Sequence, residues 1–413
     1  MPPTTQCAKC GACAPVCPVF QITGRESHTA RGKLHLQKTL APAKASKGYS
    51  EILSLCLLCG ACEAVCSRRI DITGLVITAR SRLPRLSGPS PIKKNLIRQA
   101  LKRPGFFTRL ARTGARLNRT LAALLPEQSG LRLAPDLLDD RLWPLPPAGR
   151  NYVATVSRPS AANDAPTVSY FSGCLANFLA PEIGRATEYL LDKTGQRINV
   201  PNTQACCGLA FHAAGHSLDA IELAKKNITA FSDRDLPILT SCASCYAHLR
   251  NYPNLLAADR QWRSRADAFV GRLQEFNTYF LSRTDLPAQL TGMTPSAPGR
   301  AERLVYHDPC HLRFHCKITL APRKLLTGIP GIELCELAGG PKCCGQGGLF
   351  GLLHPELSQS IFIQLKADLD TIKADVVVTT CSGCLLKLRK GLADEQPLIK
   401  VTHPALLIAA NLP

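Results

Sequence analysis

Apolar and polar positions along the chain follow two rhythms. Short β-rich apolar runs at Thr167–Phe171, Pro237–Thr240, Leu304–Tyr306 and Asp375–Thr380 predict buried strands. Helical spacing predicts helices in Arg31–Leu40, in Pro181–Gly195 and in Ala321–Gly331, the last two closing on a glycine stop signal. From about residue 159 onward the order is strand, helix, strand, helix, twice over, which predicts two small α/β units. The N-terminal part carries helical spacing only. A further amphipathic stretch, Lys94–Leu125, is broken by Pro104-Gly105. No run of about 18 uninterrupted apolar residues occurs, so no membrane-spanning helix is expected. The opening MPPTTQCAKCGAC lacks the basic and apolar regions of an export signal and has no twin arginine. These absences predict a cytoplasmic protein.

The 413 residues are 45% apolar, which argues against a mainly disordered chain and leaves room for two to four domains. The net charge of +20 is unevenly placed. Ile72–Pro126 contains no acidic residue, and its lysines and arginines run from Arg80 to Arg119. Such a segment suits docking to an anionic membrane surface or to an acidic partner subunit. A solvated helical linker packed on the rest of the protein is the plainer alternative. Nucleic acid is not expected, because aromatics are few there and no nucleic-acid motif is present. No glycine-rich dinucleotide fingerprint occurs, so the chain is not expected to bind NAD or FAD itself.

Twenty cysteines change the picture most. In a long chain without an export signal, clustered cysteines predict metal ligation rather than disulfides. Cys7, Cys10, Cys13 and Cys17 give C-x2-C-x2-C-x3-C followed by Pro18, and Cys56, Cys59, Cys62 and Cys66 repeat the spacing. Three close cysteines can wrap three irons of a cubane, while the fourth points away onto the next helix and reaches the other cluster. Cluster one is therefore expected on Cys7, Cys10, Cys13 and Cys66, and cluster two on Cys56, Cys59, Cys62 and Cys17. Gly11 and Gly60 lie inside the loops, where backbone must pass close to inorganic sulfur. Zinc knots use different spacings.

A second set of cysteines recurs in register. VSYFSGC matches LVYHDPC, QACCGLAFH matches PKCCGQGGLFG, and PILTSCASCYAHL matches VVVTTCSGCLLKL. Cys174, Cys206, Cys207, Cys242 and Cys245 thus correspond to Cys310, Cys343, Cys344, Cys381 and Cys384. Most follow predicted strands, and ligands gather at the carboxyl ends of strands in such sheets. Neither five cysteines nor an adjacent Cys-Cys pair suits four-coordinate zinc. The domains expected are a two-cluster [4Fe-4S] ferredoxin at 1–85, a basic helical linker at 86–158, and two α/β units at 159–297 and 298–413.

The repeated pattern resembles the cysteine-rich CCG domain. That domain is known from heterodisulfide reductases and from the iron–sulfur subunits of flavin-linked glycolate and D-lactate dehydrogenases. The resemblance covers essentially the whole chain. GRESHTARGKLHLQK and FFTRLARTGARLNRTLAALLPEQ are similar to segments of the dehydrogenase subunits, whereas the two intact closing C-x2-C pairs are shared with heterodisulfide-reductase-like proteins. The resemblance implies a noncubane four-iron cluster on each five-cysteine set, with zinc in one set as the alternative. It further implies electron transfer from an FAD-containing partner subunit that oxidises glycolate or D-lactate, toward a quinone or another carrier. A second implied activity is reduction of a disulfide at a CCG-bound cluster. No acid–base catalytic residue is needed for electron transfer, and membrane contact would be peripheral.

The remaining candidates are weaker. His307, His311 and His315 recur around Cys310, either as a proton donor or extra ligand, or as hydrogen-bonding supports of a turn. His212 and His216 have the same two readings. Cys316 and Cys335 exceed the ligand sets and are expected to be buried free thiols, with a thiol taking part in disulfide chemistry as the alternative. Gly208, Gly345, Gly347 and Gly348 are expected to let backbone approach the metal.

Overall fold

A computed structural model of the chain describes residues 7–40, 46–83, 151–156, 166–292, 301–393 and 398–412. The amphipathic stretch Lys94–Leu125 and the expected boundaries near 85, 158 and 297 lie outside the described residues.

The N-terminal part is helical. Thr29 caps the helix Ala30–Thr39 by accepting from the Gly32 amide, and Asp71 caps Ile72–Ser81 by accepting from the Gly74 amide. Leu34, Leu53, Ile70, Ile72 and Val76 form the apolar core between these helices and Lys47–Ser54.

Two four-stranded parallel sheets follow. The first contains β1 (Val168–Phe171), β2 (Ile198–Asn199), β3 (Ile238–Thr240) and β4 (Leu273–Glu275), in the order β2-β1-β3-β4. The second contains β5 (Glu302–Tyr306), β6 (Ile332–Cys335), β7 (Val376–Val378) and β8 (Lys400–Thr402), in the order β6-β5-β7-β8. Every pairing is parallel. Strands β1, β3 and β7 are buried along their length, as continuous apolar runs in a covered parallel sheet should be. Each sheet has twice the strands expected, because the extra ones are edge or outer strands of only two to four residues. In both sheets the strand order reverses between the two central strands. This is the topological switch point, where loops diverge and leave a crevice.

The carboxyl ends of the two sheets face each other across a pseudo-twofold junction. The Ala243 amide donates to the Thr380 carbonyl at 2.8 Å. Asn277 Nδ2 donates to Thr380 Oγ1 at 2.9 Å, and His403 Nε2 lies 2.8 Å from the Ser241 carbonyl oxygen. Tyr170 and Tyr306 repeat one contact in the two copies, their hydroxyls meeting Ser241 Oγ and Thr380 Oγ1. Each clamp thus holds the residue just before Cys242 or Cys381.

His403 Nδ1 accepts from the Ala405 amide, so the proton is on Nε2 and is donated to Ser241. Burial pulls the ring's pKa down to about 4, only partly countered by the Ser241 carbonyl. The folded state therefore refuses a proton that the unfolded chain binds below its usual histidine pKa. Stability from this group is full above pH 6.5 and is lost as pH falls toward 4. Between pH 7.5 and 5.5 it should account for about 1.4 kcal/mol of the decline. Anaerobic urea unfolding of wild type and His403→Asn at both pH values tests this. The variant should be less stable at pH 7.5 and show a decline smaller by that amount. Equal declines would contradict the assignment.

Candidate iron–sulfur centres

The first motif ends where a helix begins. Cys17 is the N-cap of Pro18–Thr23, with Pro18 in the first turn, so its side chain leaves the loop formed by Cys7, Cys10 and Cys13. Cys17, Cys56, Cys59 and Cys62 line one small cavity together with Lys33 and Gly60. Cys7, Cys13 and Cys66 pack against one apolar core, and Cys10 is exposed. Burial pushes the thiols of Cys59 and Cys62 well above the ordinary range, and neighbouring sulfurs add to the rise. Burial likewise raises Cys17, partly offset by the Phe20 amide and the Lys33 charge. Thiolates here require a cation among them, and a metal centre is one.

The ten cysteines of the repeat gather at the carboxyl ends of the sheets. Cys174 follows β1, Cys206 and Cys207 follow β2, and Cys242 and Cys245 follow β3. The second set repeats this after β5, β6 and β7. Cys207, Cys242, Cys344 and Cys381 are each no more than 5% exposed. Sulfur contacts run without a break from Cys174 to Cys206, Cys207, Cys245 and Cys242. From Cys242 they cross to Cys381, then pass to Cys384 and Cys344. The Cys206 thiol is held well below its usual range by the thiols of Cys174 and Cys207, and Cys174 is raised in return, with burial adding to its rise. Ser244 Oγ lies 3.1 Å from Cys381 Sγ, so the first unit touches a ligand candidate of the second.

The N-terminal part joins this row at the second set. Cys17, Cys59 and Cys343 pack on one apolar cluster with Val19, Leu57, Phe350 and Ile361. Cys310 also feels the charge of Cys59, and burial, then Cys344, pushes Cys343 up to about 12. Gly60 packs so closely on His315 that an added Cβ would lie 2.7 Å from Nε2. The cysteines of the two N-terminal motifs share one apolar core, Cys17 and Cys59 adjoin Cys343 of the second set, and Cys381 of the second set meets Cys242 of the first. None of the twenty cysteines is in a disulfide. The donor sets, sulfur-rich and largely shielded from solvent except at Cys10, fit iron–sulfur clusters.

Several sequence expectations are corrected. Gly345 and Gly347 are also held by close chain packing: a Cβ would lie 2.3 Å from the Ser358 carbonyl oxygen and 2.3 Å from Leu57 Cδ2, respectively, and the Gly345 amide donates to Cys343 Sγ at 3.3 Å. Cys335 is half-buried, because it ends β6 at the sheet edge, and Cys316 is half-buried behind a surface turn. Of the histidines around Cys310, His311 and His315 stack, rings 5.3 Å apart, but make different hydrogen bonds. His311 Nδ1 meets Ser244 Oγ at 3.1 Å, whereas His315 Nε2 meets the Leu58 carbonyl at 3.3 Å across the junction. His307 stands apart, just beyond β5. His212 pairs with His248, their rings 5.3 Å apart, and burial lowers the pKa of both. His216 lines a cleft of about 450 Å³ that reaches Cys56, Arg80, Phe211 and Phe350.

Arg80 was not legible as a site residue, because it is one of many arginines in a basic run. It donates to the carbonyls of Leu53, Cys56 and Ala213 at 2.7, 2.7 and 2.6 Å. Among the described residues no carboxylate pairs with it. Burial lowers its pKa and the Cys56 sulfur opposes that. Lys33, 3% exposed, donates to the His28 carbonyl beside Cys17. Buried Lys33 thus lines the cavity of Cys17, Cys56, Cys59 and Cys62, and half-buried Arg80 holds the Cys56 carbonyl beside it.

Residues 168–250 and 304–389 match the family described as Cysteine-rich domain, and residues 3–70 match 4Fe-4S dicluster domain. The chain is thus an iron–sulfur protein in which a dicluster domain precedes two cysteine-rich domains. It is 31% identical to the probable glycolate oxidase iron-sulfur subunit of Bacillus subtilis, over 94% of this chain and 89% of that protein. It therefore belongs to the family of glycolate oxidase iron–sulfur subunits and their cysteine-rich relatives. Lactate utilization protein A of Geobacillus sp. is 31% identical over 58% of this chain and 97% of its own length. A subunit of the fumarate reductase (CoM/CoB) of Methanothermobacter marburgensis is 25% identical over 94% of this chain and 68% of its own length.

A cubane with its thiolates is anionic and gains negative charge on reduction, so nearby buried cations raise its potential. Arg80→Gln should lower the midpoint potential of the cubane near Cys56 and leave the other unmoved. An EPR-monitored redox titration reads both. Equal shifts, or none, would contradict this role.

Proposed function

We propose that this chain is the electron-transfer subunit of a flavin-linked 2-hydroxy acid dehydrogenase complex, acting on glycolate or D-lactate. An FAD-containing partner subunit oxidises the substrate, and electrons leave toward a quinone or another carrier. The observation that carries this reading is the adjacency of the cysteine groups, with no gap between the N-terminal motifs and the repeat. When bound, iron–sulfur clusters supply one-electron transfer. The chain's own residues hold those groups at fixed spacing, exclude water and tune charge. Cys10, exposed, marks the end open to a partner protein. The cleft beside Cys56 is a place for a small carrier, since its lining combines Phe211, Phe350 and Arg80. The names of the glycolate oxidase and lactate utilization relatives support the substrate class.

A second reading is disulfide reduction at the repeat. It is favoured by the direct meeting of the two sets at Cys242 and Cys381, and by the relative named as a fumarate reductase (CoM/CoB) subunit. Turnover of a disulfide by the isolated chain with a reduced dye would select it.

Cys59→Ser discriminates the main reading. In the complex, substrate should still reduce the flavin, while acceptor reduction should fall at least tenfold together with one cubane signal. Unchanged acceptor reduction with that cubane lost would contradict the wiring.

A further inference from the structure

The two cysteine-rich units are copies, yet they differ beside the sulfurs. Phe171 ends β1 in the first, and His307 takes the matching place in the second. Phe171 packs on Phe231, with ring centroids 6.0 Å apart, and offers no ligand atom. His307 is 3% exposed. Its amide donates to the Val378 carbonyl at 2.8 Å, and its Nδ1 lies 3.2 Å from Thr379 Oγ1. In the first unit the matching Thr240 hydroxyl is buried without a partner.

These contacts fix the ring and direct Nε2 inward. Nε2 is buried and makes no hydrogen bond of regular geometry. It lies with Cys344 Sγ and Cys384 Sγ in a group whose ligand atoms are all within 4.8 Å of one another. The next residue holds the loop in place. Asp308 is ion-paired with Arg323 at 2.7 Å, and Arg323 also grips Glu336 at 2.5 Å. With Nδ1 donating to Thr379 Oγ1, Nε2 presents its lone pair to the two sulfurs, and two thiolates offer it no donor. A metal ion between them satisfies all three donors, and imidazole with thiolate suits iron and zinc alike.

We propose that His307 Nε2 is a metal ligand of the second cysteine-rich centre. That centre is then a mixed nitrogen–sulfur site, next to an all-sulfur first centre. This rests on the reading that both sets hold iron.

The test is pulsed EPR of the reduced full chain, natural and labelled with 15N-histidine, alongside His307→Phe, which copies the first unit. A strong 14N coupling should appear at one cysteine-rich centre, convert to the 15N pattern on labelling, and vanish in the variant. His307→Gln, which keeps a polar side chain, should lose the coupling as well. The assignment is overturned by a coupling that survives in the variants. It is equally overturned if no signal from a cysteine-rich centre shows nitrogen coupling that His307→Phe removes. Iron content separates this from failure of the underlying reading: a wild-type chain that lacks iron in the second set fails by metal analysis before any coupling is sought.

Discussion

Thiolate charge cannot be buried without a counter-charge, and this constraint organises the molecule. Cysteine sulfurs converge at the facing ends of two parallel sheets and in the adjoining helical part. As free thiols most would stay protonated, since burial raises Cys17, Cys59, Cys62 and Cys310. As thiolates they need metal. The fold is built to hold them close whatever their charge. Short buried strands fix the points where loops diverge, and the strand order reverses where Cys174 and Cys242, or Cys310 and Cys381, emerge.

Duplication of the unit adds a second consequence. Two copies facing each other bring Cys242 against Cys381, and the clamps from Asn277 and His403 hold the residues preceding them. The helical part docks on the second copy through Leu57, Gly60 and His315. A row of closely spaced centres then follows from topology. The proposed function lies in that spacing and in the charges beside it.

Much of this was legible in the sequence, because cysteine spacing records ligand geometry directly. The crossing of Cys17 to the second motif could be expected from the C-x2-C-x2-C-x3-C spacing, and the strand ends from the apolar runs before Cys174, Cys242, Cys310 and Cys381. Strands β2, β4, β6 and β8 were missed because each mixes polar residues into a short run (IN, LQE, IELC, KVT), whereas β1, β3 and β7 stand in continuous apolar runs. Arg80, His403 and Asn277 were invisible because their roles depend on partners far away in sequence, at Ala213, Ser241 and Thr380. The packing role of Gly347 was not legible because its neighbour Leu57 belongs to another part of the chain. His307 looked like one of three equivalent histidines, and only the end of β5 separates it from the turn His311–His315.

The central claim is that every cysteine group carries iron in one continuous row. The most direct measurement is iron, sulfide and zinc per chain in anaerobically purified protein, with EPR of the same sample oxidised and reduced. The account predicts about sixteen irons and negligible zinc, from two cubanes and two further four-iron clusters. About eight irons accompanied by zinc would contradict it, because the row would then end at the second cubane.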